Sequence, residues 1–132
     1  MAKVWIPVLA YVGLIFTLSS IPNLAPPTAM TNADKLAHFT EYGILGWLLV
    51  RALGTRFRRR LVPAVLGAVL LGAGIAAADE MYQGTVGRHR DARDWAADVT
   101  GILVATLVWL WIQRRRANRE RGAGILEGRG NA

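Results

Sequence analysis

The chain of 132 residues contains no cysteine, and histidine is nearly absent, with only His38 and His89. Disulfide bonds and thiolate metal sites are therefore excluded. The two histidines are too far apart for a His-x-x-x-His or His-Glu-x-x-His motif, and no serine is bracketed by glycines as in a hydrolase nucleophile elbow. These absences argue against the common metalloenzymes and serine hydrolases, and they leave carboxylates and arginines as the residues that can carry function.

Acidic residues are also scarce, since nine Asp and Glu stand against sixteen Lys and Arg, a formal net charge of +7. In a soluble protein this excess would suggest a nucleic-acid partner. Here the arginines stand in blocks directly after apolar runs, as in the cytoplasmic loops of membrane proteins. The sequence therefore predicts a lipid bilayer as the partner, and no nucleic acid.

Long apolar runs are abundant, and 53% of the residues are hydrophobic. Four runs have about the length that a membrane span needs, and they cover about residues 4–21, 33–53, 61–79 and 94–112. They predict an all-α integral membrane bundle of four transmembrane helices, which forms one domain over residues 1–112. The first run also fits a cleaved signal peptide, although no clear small-x-small cleavage site follows it.

The charge distribution predicts the orientation of this bundle. With both termini and the turn at 51–60 in the cytoplasm, that side carries Lys3 and eleven arginines against two glutamates. The other side carries Lys35 and three arginines against seven carboxylates, and the opposite orientation would break the positive-inside rule. We therefore expect a multi-pass protein with both termini in the cytoplasm, and residues 113–132 as a basic, disordered tail.

In this orientation the polar residues at 34–42 and 79–98 meet at the extracytoplasmic end, where they suggest acid–base chemistry. Glu80 and either Asp94 or Asp98 would supply carboxyls of different acidity, because an apolar boundary raises the pKa of a carboxyl. His38 would carry the proton, since its free pKa lies near neutrality. Arginine forks suit a phosphate or carboxylate, so the expected ligand is an anionic amphiphile such as a lipid-linked cell-wall precursor. The predicted binding residues are Arg88, Arg93, Gln83, Asp79, Asp98, Tyr42, Asp34 and Lys35.

A structural interpretation of the same residues stays open. The charged groups can form a salt-bridge network that fixes helix register, since polar groups at membrane depth need partners in any case. Asp34 and Asp94 can be simple helix starts, favoured there by the helix dipole and by capping. The charged groups would then have no catalytic role.

A metal site is a further alternative, with mixed nitrogen and oxygen ligands from His38, Glu80, Asp79 and His89. These ligands would come from three helices and a loop, and their spacing in the sequence is not diagnostic. The sequence therefore assigns no metal and no cofactor.

Small residues predict where the helices pack closely. Ala64, Ala68, Gly72 and Ala76 recur every four residues, and the next position in this series is Glu80. Such a small-residue stripe permits intimate packing in lipid, inside the bundle or between copies in a homo-oligomer. Gly43 and Gly46 likewise admit a close helix neighbour. Tryptophans at both ends of the fourth run are expected to be interfacial anchors, namely Trp95, Trp109 and Trp111.

Two groups of these residues resemble the signatures of the VanZ-like membrane proteins. The first group reads Asp34-Lys35-x-x-His38-Phe39-x-x-Tyr42-x-x-Leu45-Gly46. The second reads Asp79-Glu80-x-x-Gln83, then Gly87-Arg88, then Arg93-Asp94-Trp95-x-x-Asp98-x-x-Gly101. Ser19-Ser20-x-Pro22 is similar to the usual end of the family's first helix. The resemblance covers roughly residues 1 to 112, in order.

The resemblance implies a bacterial cytoplasmic-membrane protein of the glycopeptide-resistance type, whose family namesake is associated with resistance to teicoplanin, a lipid-tailed antibiotic. It supplies a location and a phenotype but no reaction. Two functions therefore remain open: an enzyme that modifies a surface lipid or cell-wall precursor, and a protein that binds or excludes an amphiphilic antibiotic without turning it over. The chain departs from the family pattern at two places. Tyr82 stands where the family usually has His, and Gly87-Arg88 lack the proline that usually precedes them.

Overall fold

The computed structural model describes residues 2–21, 31–57, 60–87 and 91–130. These residues form four α-helices and no strand. The helices are α1 (Ala2–Ser19), α2 (Thr31–Arg56), α3 (Leu61–Thr85) and α4 (Ala92–Gly130). The prediction of an all-α chain with four helices is confirmed.

Two of the helices are long and apolar enough to cross a membrane within the described residues, namely Leu61–Thr85 and Ala92–Gly122. The apolar helical stretch of α1, Lys3–Ser19, is shorter. α2 bears charged side chains at both ends and at Glu41, and it is not among the described helices that are apolar enough to span. α3 and α4 therefore carry the evidence for a membrane location.

α4 does not end near residue 112, as the sequence predicted, but continues to Gly130. The expectation of a disordered tail is therefore wrong for the backbone of this segment. Residues 113–121 read Gln-Arg-Arg-Arg-Ala-Asn-Arg-Glu-Arg, and most of these residue types favour a helix. Extending an existing helix also avoids the cost of nucleating a new one. Within this extension the Arg115 guanidinium lies 4.0 Å from the centre of the Trp111 ring.

The end of α3 also lies beyond its predicted limit at residue 79, since the helix runs to Thr85. The Val86 N–H donates to the Gln83 carbonyl at 3.2 Å. Gly87 follows with a φ of +79°, a conformation that a side chain disfavours and that commonly terminates helices. The positive φ at Gly87 therefore ends the helix about one and a half helical turns beyond the predicted limit.

Side-chain contacts define an alternating up-and-down bundle in which α2 and α4 run parallel. Lys35 meets Asp94 near the starts of these two helices, and Gly54 meets the Trp109 ring near the end of α2. α3 runs antiparallel to both, and the Trp95 Nε1–H donates to the Ala73 carbonyl at 3.3 Å. The Tyr11 hydroxyl of α1 donates to the backbone carbonyl of Glu41 on α2 at 3.2 Å.

The glycines of α2 and α4 bring the two backbones into contact. A Cβ added at Gly46 would lie 2.8 Å from the Ile102 Cα, and one at Gly43 would lie 3.6 Å from the Gly101 carbonyl oxygen. A Cβ at Gly101 would collide with the carbonyl oxygen of Phe39. The prediction that Gly43 and Gly46 admit a close helix neighbour is confirmed.

The small-residue stripe of α3 faces the interior of the bundle. Ala64, Ala68, Gly72 and Ala76 are all buried, and a Cβ at Gly72 would lie 2.8 Å from the Ile102 side chain. The stripe therefore packs within the chain and offers no exposed face to a second copy. Trp109 is also buried, at 6% exposure, so its predicted role as an interfacial anchor is wrong.

The outer surface of the bundle is strongly apolar. Large hydrophobic side chains on all four helices are half to three-quarters exposed, including Leu9, Leu36, Leu70 and Leu107. A soluble monomer rarely exposes apolar patches on this scale. Trp111 is exposed as well, in agreement with a place at a membrane surface. The exposed apolar belt thus fits contact with lipid.

Candidate functional site

One end of the bundle buries most of its polar side chains, at the starts of α2 and α4 and the end of α3. We call this region the polar end. Its residues are Lys35, His38, Tyr42, Asp79, Glu80, Gln83, Asp91, Asp94 and Asp98. It brings together residues of both sequence groups at 34–42 and 79–98, as the sequence predicted.

Two side-chain pairs connect α2 to α4 at this end. Lys35 Nζ lies 2.6 Å from Asp94 Oδ1, and His38 Nδ1 lies 2.9 Å from Asp98 Oδ1. Residues three or four apart share a helix face, so two parallel helices can form two such pairs, one above the other. The His38–Asp98 pair is the deeper one, since the Asp98 side chain is only 1% exposed.

Asp91 begins α4 and contacts α2 at the same time. Its Oδ1 accepts the Arg93 backbone N–H at 2.8 Å, which is the geometry of a helix cap. Its Oδ2 lies 3.4 Å from Lys35 Nζ. The hydrogen bond from Arg93, followed by the contact with Lys35, holds the pKa of Asp91 below its usual range. Asp91, and not Asp94, therefore caps α4.

Glu80 reaches the polar end because α3 continues past residue 79. Its Oε2 accepts the Asp91 backbone N–H at 3.3 Å. Its Oε1 is buried and has no hydrogen-bond partner in the part of the chain that the structure describes. The prediction that Glu80 faces the bundle is confirmed, since the residue is only 8% exposed.

A second polar layer lies on the adjacent face of α3. Gln83 Nε2 donates to Asp79 Oδ2 at 2.9 Å, as expected for residues four apart. Asp79 Oδ1 and Tyr42 Oη are buried, and neither has a hydrogen-bond partner among the described residues. Tyr42 lies beside Asp79, close enough for its hydroxyl to interact with that carboxylate. Unused hydrogen-bonding capacity in the polar end therefore lies on the adjacent Tyr42 and Asp79 and, separately, on Glu80 Oε1.

An open groove with a volume of about 500 Å³ runs between α3 and α4 beside the polar end. It is lined by Ala77, Glu80, Met81, Ala92 and Trp95. Its lining is mostly apolar, and Glu80 is the one acidic residue among these five. Glu80 therefore belongs both to the groove and to the polar end.

The structure shows the partners of two of the predicted acid–base residues. Asp94 pairs with Lys35, and His38 pairs with Asp98. The Arg93 side chain is exposed and forms no ion pair with a described carboxylate. Arg88 and His89 lie outside the described residues, so the structure gives no account of their predicted roles.

Two participants were absent from the predicted site. Asp91 lies in the charged stretch at 79–98 but was given no role, although an aspartate directly before an apolar helix is a common capping signal. Tyr82, noted only as a replacement, forms a hydrogen bond of 2.8 Å between its hydroxyl and that of Ser20 at the end of α1. Its ring also packs against Phe16. Nothing local in the sequence predicts the contacts of Tyr82 with Ser20 and Phe16, because they depend on how α1 lies against α3.

The arrangement supports two kinds of chemistry. A histidine held by a carboxylate is oriented for proton transfer, and its tautomer is set by that carboxylate. A nitrogen or oxygen ligand atom from each of His38, Glu80 and Asp98 also lies within 4.8 Å of the other two. Asp34, His38 and Asp94 form a second such group. Both groups can therefore bring several ligand atoms to one point.

Comparison with known proteins places the chain in a family. No curated protein and no solved structure matches it. The family model VanZ/LLP1 matches residues 4–113, which include all four helices up to the middle of α4 and every described residue of the polar end. Together with the apolar helices α3 and α4, this match indicates a membrane protein. The chain belongs to the VanZ/LLP1 family.

Proposed function

We propose that this chain is a multi-pass protein of the bacterial cytoplasmic membrane whose polar end faces outward and binds the head group of an anionic amphiphile. A lipid-linked cell-wall precursor is the class of ligand that fits best. The positive-inside rule supports this orientation, because the arginine blocks lie at the opposite end of the helices. The exposed apolar belt supports a membrane location for all four helices.

The position of Glu80 carries the proposal. An amphiphile needs a polar site for its head and an apolar surface for its chain, and both must be adjacent. Glu80 lines the groove between α3 and α4 and also contacts the backbone of Asp91 in the polar end. A hydrocarbon chain lying along Met81 and Trp95 would thus bring its head group to the buried polar residues.

Lys35 provides a cationic contact for that head group. Its ammonium bridges Asp91 and Asp94, yet its side chain is still 27% exposed. An ammonium group has three donors, so a third contact remains for a phosphate oxygen. Lys35 therefore serves as the anion-binding residue that the sequence predicted, together with the exposed Arg93.

The proposal is tested by native mass spectrometry of the purified protein in detergent with a polyprenyl phosphate and the matching polyprenol. We expect one phosphate lipid per chain, little binding of the uncharged alcohol, and at least tenfold weaker binding by Lys35→Gln. Lys3→Gln is the matched control, since Lys3 is an exposed lysine at the other end of the bundle. Equal binding of phosphate and alcohol, or an unaffected Lys35→Gln protein, would contradict the proposal.

A second candidate function is protection against a lipid-tailed glycopeptide such as teicoplanin, without turnover of a substrate. The observation in its favour is that Asp94 and Asp98 already have partners within the chain, as a purely structural network requires. Susceptibility of bacteria that express wild type, Glu80→Gln or Asp94→Asn at equal membrane levels tests it. Protection retained by both variants against the tailed drug alone would favour exclusion of the drug over a role for the polar end.

A further inference from the structure

Three side chains on three different helices converge in the polar end. His38 lies on α2, Glu80 on α3 and Asp98 on α4, and one ligand atom of each lies within 4.8 Å of the other two. All three residues are buried, with exposures of 8%, 8% and 1%. We call them the triad. Its members are held in place by the helix packing itself, because no loop contributes to it.

The Glu80 side chain supplies an independent indication that this site binds a ligand. Its Oε1 atom is buried and has no hydrogen-bond partner in the described part of the chain. A buried carboxylate oxygen without a partner is costly, and such exceptions in folded proteins call for an explanation such as an ion. The oxygen lies in the same polar end as the other two triad members.

The charge of the polar end points to a cation. Its described residues include five carboxylates against Lys35 and His38, and these carboxylates are Asp79, Glu80, Asp91, Asp94 and Asp98. Lys35 is occupied by Asp91 and Asp94. The deeper carboxylates, on Glu80 and Asp98, form no ion pair with a lysine or arginine among the described residues.

We propose that His38, Glu80 and Asp98 bind a divalent transition-metal ion such as Mn²⁺, Fe²⁺ or Zn²⁺. One imidazole with two carboxylates is a donor set that these ions accept, whereas Ca²⁺ and Mg²⁺ prefer oxygen ligands alone. Metal–ligand bonds of about 2.0–2.2 Å place neighbouring ligand atoms roughly 3–4 Å apart. The 2.9 Å between His38 Nδ1 and Asp98 Oδ1 is already near that range, and Glu80 needs only a small movement.

The second group of ligand atoms, from Asp34, His38 and Asp94, is a poorer site. Asp94 is held by Lys35 at 2.6 Å, and a cation there would have to displace that ammonium. The triad has the unpartnered oxygen of Glu80 and no lysine. The metal ion is therefore placed between α2, α3 and α4, at the inner side of the polar end.

The ion also has a role that rests on the proposed function. Three protein ligands leave coordination positions open, and Glu80 borders the groove between α3 and α4. A phosphate oxygen of the amphiphile would occupy one of these positions. The ion thereby explains how an end of the molecule rich in carboxylates can bind an anionic head group.

The site is tested on the full chain in detergent, without lipid, by titration with Mn²⁺ followed by electron paramagnetic resonance. We expect one bound Mn²⁺ per chain and affinity at least tenfold lower in Glu80→Gln and Asp98→Asn. Glu120→Gln is the matched control, since Glu120 is an exposed carboxylate elsewhere on α4. Spin-echo modulation by an imidazole nitrogen should be present in the wild type and absent in His38→Gln.

Circular dichroism and the elution volume identify any variant that fails to fold, and Glu80→Gln still tests the site if Asp98→Asn is one of them. Absence of Mn²⁺ binding by the wild type at millimolar concentration overturns the site, as does undiminished binding by folded Glu80→Gln protein. Polyprenyl phosphate binding is then compared with Mn²⁺ and with a chelator. If the chelator does not change lipid binding, the ion does not bridge the protein and the phosphate, but the metal site itself is unaffected. If no lipid binds in either condition, the proposed function is wrong while the metal site stands.

Discussion

At the scale of single residues, the contact between His38 and Asp98 is the interaction most sensitive to substitution. Both side chains are almost fully shielded from water. Removing one of them leaves the other buried without its hydrogen-bond partner. We expect Asp98→Ala to destabilise the protein by about 3 kcal/mol. Unfolding in mixed micelles, followed by circular dichroism, measures this change.

The double substitution His38→Ala with Asp98→Ala should cost less than the sum of the two single ones, because the second removes a group that has already lost its partner. Thr100→Ala is the control, since Thr100 is exposed on the same helix and should change stability by no more than about 0.5 kcal/mol. If the losses of unfolding free energy in the two single variants add up to the loss in the double variant, the contact between His38 and Asp98 contributes nothing to stability.

The sequence predicted which residues share a face but not which pairs form. Asp94 and Asp98 are four apart, so their common face follows from helical periodicity. Whether His38 meets the first or the second depends on the relative height of α2 and α4. That height is set by the backbone contact of Gly43 with Gly101, which is a tertiary property. The sequence therefore left the partner of His38 open, and the structure shows that it is Asp98.

At the scale of helices, the contact between α2 and α4 depends on residues without side chains. A Cβ at Gly46 would lie 2.8 Å from the Ile102 Cα, and backbone cannot move aside without separating the helices. We therefore expect Gly46→Val to destabilise the bundle by about 1–3 kcal/mol. It should also lengthen the Lys35–Asp94 and His38–Asp98 contacts, and so weaken any binding at the polar end.

Gly74→Ala is the matched control for this prediction, because nothing lies within 4 Å of a Cβ built at Gly74 on α3. Alanine favours a helix over glycine by about 0.5–1 kcal/mol, so this variant should be as stable as the wild type or slightly more so. Unfolding midpoints of the two variants decide the question. A Gly46→Val protein as stable as Gly74→Ala would contradict close backbone packing.

The number of helices and their approximate positions followed from the apolar runs, whereas their ends did not. Hydropathy indicates which segment prefers lipid, but it does not indicate how far the helix extends into water. α3 therefore ends six residues beyond residue 79, at a glycine turn, and α4 continues through a charged segment that is itself helix-forming. The extension of α3 matters most, because it carries both Glu80 and Gln83 at the polar end.

At the scale of the whole molecule, charge and apolar surface together determine how the bundle lies in a membrane. The polar end carries the buried carboxylates, and the opposite end carries Lys3, Arg51, Arg56 and Arg60. The resting potential and the positive-inside rule both favour the arginine end in the cytoplasm. The proposed orientation therefore rests on the same charge asymmetry that distinguishes the polar end.

The absence of cysteine makes this orientation directly measurable, because a single introduced thiol is the only one in the chain. Thr85 at the end of α3 and Ala117 on the exposed part of α4 are both exposed positions. We expect a membrane-impermeant maleimide to label Thr85→Cys in intact cells and Ala117→Cys only after the cells are permeabilised. Labelling of Ala117→Cys alone in intact cells would reverse the orientation and place the polar end in the cytoplasm. Its amphiphile would then come from the inner leaflet, and an effect on an antibiotic that acts outside the membrane would lose its physical basis.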